Sequence, residues 1–222
     1  MTLVVSDLDG TLTTGSSWRG LRCYFQKHYS AWTYNLFFLR WLPRFPLMKL
    51  GLLDKQKTMT AWMQAEIGLL RGEPSQALNE MAEVIVVEEL WPERRVDMLA
   101  KLDKHRQSGA QIAIVSSAYQ PIVEAFARRI GGVRAIGSRL MYEGDRLAGV
   151  ALPINSFERK VENIRSFYKD SPIIAAYGDT ISDIPMLEMS RNPIAVYPDD
   201  GLRRVAEARG WRMMGRQITL CS

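Results

Sequence analysis

Apolar and polar positions along the chain follow two different rhythms, and the change between them marks its organisation. Leu3-Val4-Val5 is a short apolar run ending at Ser6-Asp7, which reads as a buried strand. From Gly15 to Leu90 no convincing run of that kind recurs. Ser16 or Ser17 can cap a first helix holding Trp18, Leu21 and Phe25. Trp32 to Leu53 is a dense aromatic and aliphatic stretch broken by Pro43 and Pro46. Lys55 to Leu70 and Ser75 to Leu90 have amphipathic helical spacing, separated by Gly72 and Pro74.

From Trp91 helix and strand alternate. Pro92 to Gln107 predicts a helix stopped by Gly109, and Gln111 to Val115 a strand ending in Ser116-Ser117. Tyr119 to Ile130 predicts a helix, Val133 to Ile136 a short strand, and Arg139 to Ala151 a hairpin turning at Glu143-Gly144-Asp145. A helix over Ser156 to Tyr168 and a strand over Ile173 to Tyr177 follow. Asp179-Thr180-Ile181-Ser182-Asp183 then forms a turn before a helix reaching about Met189. Ile194 to Tyr197 and Asp199 to Arg209 give a further strand and helix. Such spacing predicts an α/β fold, a Rossmann-like doubly wound parallel sheet with right-handed crossovers. Residues 1–14 and 91–222 are expected to form that core, and residues 15–90 an inserted α-helical unit. There is no internal repeat and no low-complexity tract.

The 222 residues suffice for a sizeable core with an insertion. Apolar residues at 47% and charged residues at 24% are values of a soluble globular protein. No apolar stretch reaches the ~18 residues of a membrane span. The opening run meets Asp7 too soon for a signal peptide. Cys23 and Cys221 stand far apart, without zinc spacing or a disulfide framework, so reduced thiols and a cytoplasmic location are expected.

Charge changes the picture in one place. Between Trp18 and Lys57 stand eight Lys or Arg (Arg19, Arg22, Lys27, Arg40, Arg44, Lys49, Lys55, Lys57) against the single acid Asp54. The whole chain carries +5, so the remainder is slightly acidic. A basic segment attracts phosphates of any kind, on a small substrate, a lipid headgroup or a nucleic acid. No nucleic-acid recognition motif accompanies it, and no such partner is expected.

The candidate chemistry sits at strand ends. The first strand delivers Asp7 and Asp9, then Gly10 for a sharp turn; the second delivers Ser116 and Ser117; the strand before Gly178 delivers Asp179 and Asp183. Lys160 lies near the start of a helix. Parallel strands share a direction, so their carboxyl ends can converge on one crevice. Burying several carboxylates together is costly unless a cation or a proton offsets them, and an oxygen-only donor set suits Mg²⁺. Singly, each residue has a plainer role. Asp9-Gly10 is an ordinary turn pair, Ser116 a helix cap, Lys160 a solvated lysine, and Asp179 and Asp183 caps on a helix dipole.

Taken together, Asp7-Leu8-Asp9-Gly10-Thr11-Leu12-Thr13 after an apolar strand, Ser116 after Ile112-Ala113-Ile114-Val115, Lys160, and Gly178-Asp179-Thr180-Ile181-Ser182-Asp183 resemble the four motifs of the haloacid dehalogenase superfamily in their usual order. Arg159 stands where a glycine more often precedes the lysine. The hairpin from Ser138 to Gly149 and the helical insertion after the first motif resemble the subclass of phosphoserine phosphatases, in which that insertion is a cap.

The resemblance implies a Mg²⁺-dependent phosphomonoesterase working through an aspartyl-phosphate. Asp7 would be the nucleophile and Asp9 the general acid and base. Asp7, Asp9 (through its main-chain carbonyl), Asp179 and Asp183 would serve the metal, and Ser116, Ser117 and Lys160 the phosphate. Asp9 occupies the place where transport ATPases carry threonine, which favours hydrolysis of the intermediate. The implied substrate is a small phosphorylated metabolite. Ser16 and Glu66 stand where phosphoserine phosphatases hold their substrate through a glutamate and an arginine, which argues against phosphoserine. The aromatic, basic insertion suits either a hydrophobic core or peripheral membrane contact, the latter with a phosphatidylglycerophosphate-like substrate. A phosphotransferase and a non-catalytic phosphate-binding module stay open, as does the oligomeric state.

Overall fold

The computed structural model describes residues 2–215, the side chains of Ala31 and Lys49 excepted, so Cys221 lies outside the described residues. The chain enters through β1 (Leu3–Ser6), all four residues of which are buried. Successive side chains of a strand point to opposite faces of its sheet. Accordingly Leu3 and Val5 join one hydrophobic cluster and Val4 another, one on each face. Both faces are therefore covered, the condition under which a parallel strand reads as a continuous apolar run.

Residues 15–90 then supply helices only: α1 (Ser17–His28), α2 (Ala31–Trp41), α3 (Arg44–Lys49), α4 (Lys55–Gly68) and α5 (Ser75–Ile85), the last running on through a π-helical turn over Val86–Leu90. Pro43 ends the α2 region. Pro46 falls inside the first turn of α3, where a missing N–H is tolerated. After α6 (Val96–Gln107) come β2 (Gln111–Tyr119), α7 (Gln120–Arg129), β3 (Arg134–Ser138), the hairpin strands β4 (Leu140–Glu143) and β5 (Arg146–Val150), and α8 (Glu158–Tyr168). The chain continues with β6 (Ile173–Gly178), a 3₁₀ turn over Ile181–Asp183, α9 (Ile184–Glu188), β7 (Pro193–Val196), α10 (Asp200–Ala208) and β8 (Arg212–Met214).

Among the described residues the main sheet has six parallel strands in the order β3-β2-β1-β6-β7-β8. The chain builds outward from β1 to β3, returns to the other side of β1, and builds outward again to β8. The reversal falls between β1 and β6, the place where open α/β sheets leave a crevice at the carboxyl ends of their strands.

Several boundaries differ from those the sequence predicts. Helix α6 begins at Val96 rather than Pro92. The preceding residues are tied to the loop after β1, through Thr14 N–H to Glu93 O at 2.9 Å and Arg95 N–H to Leu12 O at 2.8 Å. Strand β2 runs through Ser116-Ser117 to Tyr119. Strand β8 has no counterpart among the predicted elements; it is a three-residue edge strand, largely exposed, and among the described residues it pairs only with β7.

Candidate active site

At the switch between β1 and β6 the backbone fixes the site before any side chain acts. Ser6 pairs with Tyr177, and the Asp7 N–H donates to Tyr177 O at 2.9 Å, so Asp7 leaves β1 beside the end of β6. Gly10 follows at φ +83°, and a Cβ there would run into Asp179 Oδ2. The turn after β1 therefore has to be glycine for the two strand ends to close on each other. Gly178 is constrained likewise, since its Cβ would lie 2.5 Å from the Asp183 Cβ.

Carboxylate oxygens of Asp7, Asp179 and Asp183, all buried, lie within 4.8 Å of one another. The Lys160 ammonium reaches in from α8 and donates at 2.6 Å to Asp7 Oδ1 and at 2.6 Å to Asp183 Oδ1. Asp179 has a weaker compensation, the Thr11 hydroxyl donating to its Oδ1 at 3.3 Å. Asp183 also organises its own loop: its Oδ2 accepts from the backbone N–H of Asp179 and of Thr180, each at 3.1 Å. It is thus a turn-holding residue and an ion-pair partner at once.

The electrostatics follow from one cation among three buried acids. Burial raises Asp7, the Lys160 charge pulls it back, and the Asp183 charge pushes it up again; the net direction is up. Asp179 is raised by burial, then by Asp7 and Asp183. For Lys160 burial favours the neutral amine, but Asp183 and Asp7 outweigh it and the ammonium is reinforced. The cluster lacks positive charge, and its donor set is oxygen only. Both features fit a hard divalent cation such as Mg²⁺.

Asp9 faces elsewhere. Its carboxylate accepts from the Ser17 N–H at 3.1 Å and the Ser17 hydroxyl at 2.9 Å, at the first turn of α1. Burial raises its pKa to about 6 against those two hydrogen bonds. The acidic group from the first motif is therefore divided, Asp7 toward Lys160 and Asp9 toward the helical insertion.

Ser116 is buried, and its hydroxyl accepts from Ala118 N–H at 3.2 Å. This is a local turn within β2; α7 begins later and takes no side-chain cap. No direct hydrogen bond among the described residues joins Ser116 to the carboxylates. Ser117 enters through its carbonyl, which accepts from the Ser138 hydroxyl at 2.7 Å. Sequence reasoning missed Asn155, which is buried and donates through Nδ2 to Ser116 O at 2.8 Å and Ile136 O at 2.9 Å. An asparagine in a loop carries no periodic signal, and only its position just ahead of Lys160 marks it. A broad hollow elsewhere, against β3 around Arg134, Gly137 and Phe167, is lined by none of the clustered acids.

Fold and site together define a doubly wound α/β protein with an acidic, lysine-bridged centre at its switch point. The chain belongs to the haloacid dehalogenase-like hydrolases, whose family model matches residues 4–188. A probable phosphatase of Mycobacterium tuberculosis is 28% identical over 168 residues, which cover 73% of this chain and 56% of that protein. A phosphoserine phosphatase of the same organism is 26% identical over 234 residues, covering 96% of this chain and 70% of the relative. The chain thus spans little more than half the length of the first of these relatives. Among solved structures, a Bordetella pertussis protein of unknown function superposes with a TM-score of 0.80 at 22% identity, covering 97% of this chain and 99% of the other. A phospho-aspartyl intermediate analogue of phosphoserine phosphatase gives 0.64 at 15% identity, covering 96% and 92%. These likenesses establish the fold.

Proposed function

We propose that this chain is a Mg²⁺-dependent phosphomonoesterase acting through an aspartyl-phosphate at Asp7, on a small phosphorylated metabolite. The observation that carries the reading is the buried Asp7–Lys160–Asp183 bridge with Asp179 beside it. Asp7, the main-chain carbonyl of Asp9, and Asp179 would hold the metal, with Asp183 supporting. Bound there, Mg²⁺ supplies the positive charge that a dianionic phosphate and several carboxylates require.

Asp7 Oδ1 is held by Lys160, while Oδ2 accepts no hydrogen bond among the described residues and is free to attack. The bond from that carboxylate to phosphorus forms as the ester P–O bond breaks, and Asp9 gives its proton to the departing oxygen. Asp9 next takes a proton from the attacking water, whose oxygen displaces the Asp7 carboxylate and releases inorganic phosphate. A pKa of about 6 suits a group that must both give and take a proton near neutrality. Ser17 holds the Asp9 carboxylate in place for this, and Lys160, Ser116 and Ser117 would hold the non-bridging oxygens and balance their charge. The helical stretch 15–90 serves as the cap over this centre. Glu66, a buried carboxylate in that cap, is the wrong charge to receive a substrate carboxylate, so phosphoserine is not the proposed substrate.

The test is a phosphate-release screen over phosphorylated metabolites with Mg²⁺ and with chelator. Release that needs Mg²⁺ and falls by at least about a thousandfold, roughly 4 kcal/mol of barrier, in Asp7→Asn is the expected result. An Asp7→Asn protein that keeps most of its activity would overturn the mechanism.

A further inference from the structure

Helix α2 is apolar on two sides, and the site uses neither. Its inner side is accounted for: Tyr34 and Phe37 are buried, and Phe37, Phe38 and Trp41 ring the Trp62 indole at centroid distances of 4.8, 6.0 and 5.5 Å. Its outer side is bare. Trp32, Leu36 and Leu39 recur at helical spacing on one stripe and are 75%, 56% and 62% exposed. Past the helix Leu42, Leu47, Leu50 and Leu52 are exposed as well. An apolar helix of this composition is ordinarily buried all round, and a concentrated exposed patch marks a contact surface.

Charge identifies what covers it. The sequence holds no Asp or Glu from Gly10 to Leu53. On α1, Arg19 and Lys27 are neutralised by Glu89 and Glu88. Arg22, Arg40, Arg44, Lys55 and Lys57 have no carboxylate in ion-pair range among the described residues. Two of these lie against the aromatic cluster, Arg44 at 4.7 Å from the Trp41 ring centre and Arg22 at 5.3 Å from that of Phe38. Exposed apolar side chains on a stretch that carries these cations, with Asp54 its single acid, complement a surface that is apolar beneath and negative on top. That is the headgroup region of an anionic bilayer. A protein partner would have to present a dense acidic rim around an apolar groove. The 11 residues of α2 extend only about 16 Å, too short to cross a membrane but able to lie along one.

We propose that the outer face of α2, with α3 and the turn after it, docks the protein peripherally on an anionic lipid surface. Trp32, Leu36 and Leu39 enter between the headgroups, and Arg40, Arg44, Lys55 and Lys57 meet lipid phosphates. The surface is independent of the phosphatase chemistry, so it stands or falls separately from Asp7.

The experiment is co-sedimentation of the full chain with vesicles of equal parts phosphatidylglycerol and phosphatidylcholine, and with phosphatidylcholine alone. Binding to the anionic vesicles at low salt, its loss at high salt, and weak binding to the neutral ones are expected. Leu36→Asp with Leu39→Asp, and separately Arg40→Glu with Arg44→Glu, should each lower partitioning at least about tenfold. Unchanged circular-dichroism melting of both variants confirms that the loss is of docking. Anionic vesicles that bind no better than neutral ones overturn the proposal. So does sedimentation velocity showing a self-associated parent that Leu36→Asp with Leu39→Asp makes monomeric, without vesicle binding, since that face would then join two copies of the chain.

Discussion

Asp179 is the acid with least compensation in a centre where one ammonium serves three carboxylates. Lys160 bonds Asp7 and Asp183, whereas Asp179 receives a single hydroxyl from Thr11. Burying a charge without a partner is among the most expensive arrangements in a fold. Asp179→Asn keeps the shape and cannot ionise. In chelator it should raise the thermal midpoint, each ~1 kcal/mol being worth about 2–4 °C at this chain length. Mg²⁺ should then stabilise the parent well above the variant, because a ligand stabilises the state that binds it. Scanning calorimetry with and without Mg²⁺ checks both; equal Mg²⁺ shifts would remove Asp179 from the metal site. Such a residue is readable in sequence because Gly178-Asp179 follows a strand, and backbone geometry there leaves little choice. Lys160 is not readable on local grounds: a lysine in a polar helix start looks solvated, and only its order among the motifs marks it. Asn155 leaves no mark beyond its place just ahead of Lys160, because what it donates to are main-chain carbonyls distant in sequence.

At the scale of elements, Asn155 acts as a clamp between strands. It joins the carbonyl of Ser116 in β2 to that of Ile136 in β3, and it accepts at Oδ1 from Asn163 Nδ2 of α8 at 2.9 Å. Removing it leaves buried carbonyls unpaired at a cost of about 1–3 kcal/mol each. Asn155→Ala should therefore lower stability by roughly 2–6 kcal/mol in urea unfolding and slow phosphate release by moving Ser116. Full activity with the stability loss would confine Asn155 to a structural role. The same clamp bears on why β2 outruns its predicted end. The apolar run stops at Val115, but Asn155 and Ser138 satisfy the carbonyls of Ser116 and Ser117, so the extended backbone continues past it. Strand β8 is missed for the opposite reason. It is a short, largely exposed edge strand with no buried face to impose alternation, so its pairing with β7 leaves no pattern in the residues. Long amphipathic helices and the buried strands β1 and β6, whose periodicity follows from burial itself, are legible without difficulty.

Across the whole molecule, the helical insertion and the sheet meet on one buried carboxylate. Glu66 of α4 accepts from the Tyr34 hydroxyl of α2 at 2.7 Å and from the Tyr119 hydroxyl, at the end of β2, at 3.3 Å. Tyr119 gives its better hydrogen bond, 2.8 Å, to Met63 O, so Glu66 is incompletely served. Burial pushes its pKa up to about 7 against the hydrogen bonds from Tyr34, Tyr119 and Trp62, while both tyrosines, buried beside a carboxylate, are themselves held in the neutral form. The sign is fixed by linkage. An acid whose folded pKa is raised contributes fully below its unfolded value near 4.5. That contribution is lost as pH climbs from there to about 7, and is constant above. Over that window the loss is on the order of 3 kcal/mol, at ~1.4 kcal/mol per unit. Glu66→Gln keeps an acceptor for Tyr34 and cannot ionise. The stability difference between parent and variant should therefore widen in the variant's favour between about pH 4.5 and 7, then hold steady; every other titrating group cancels in the difference. Urea unfolding of both proteins across that range reads it directly, and a difference that stays flat with pH would mean that Glu66 ionises at its ordinary value, with water or a cation reaching the junction between insertion and sheet.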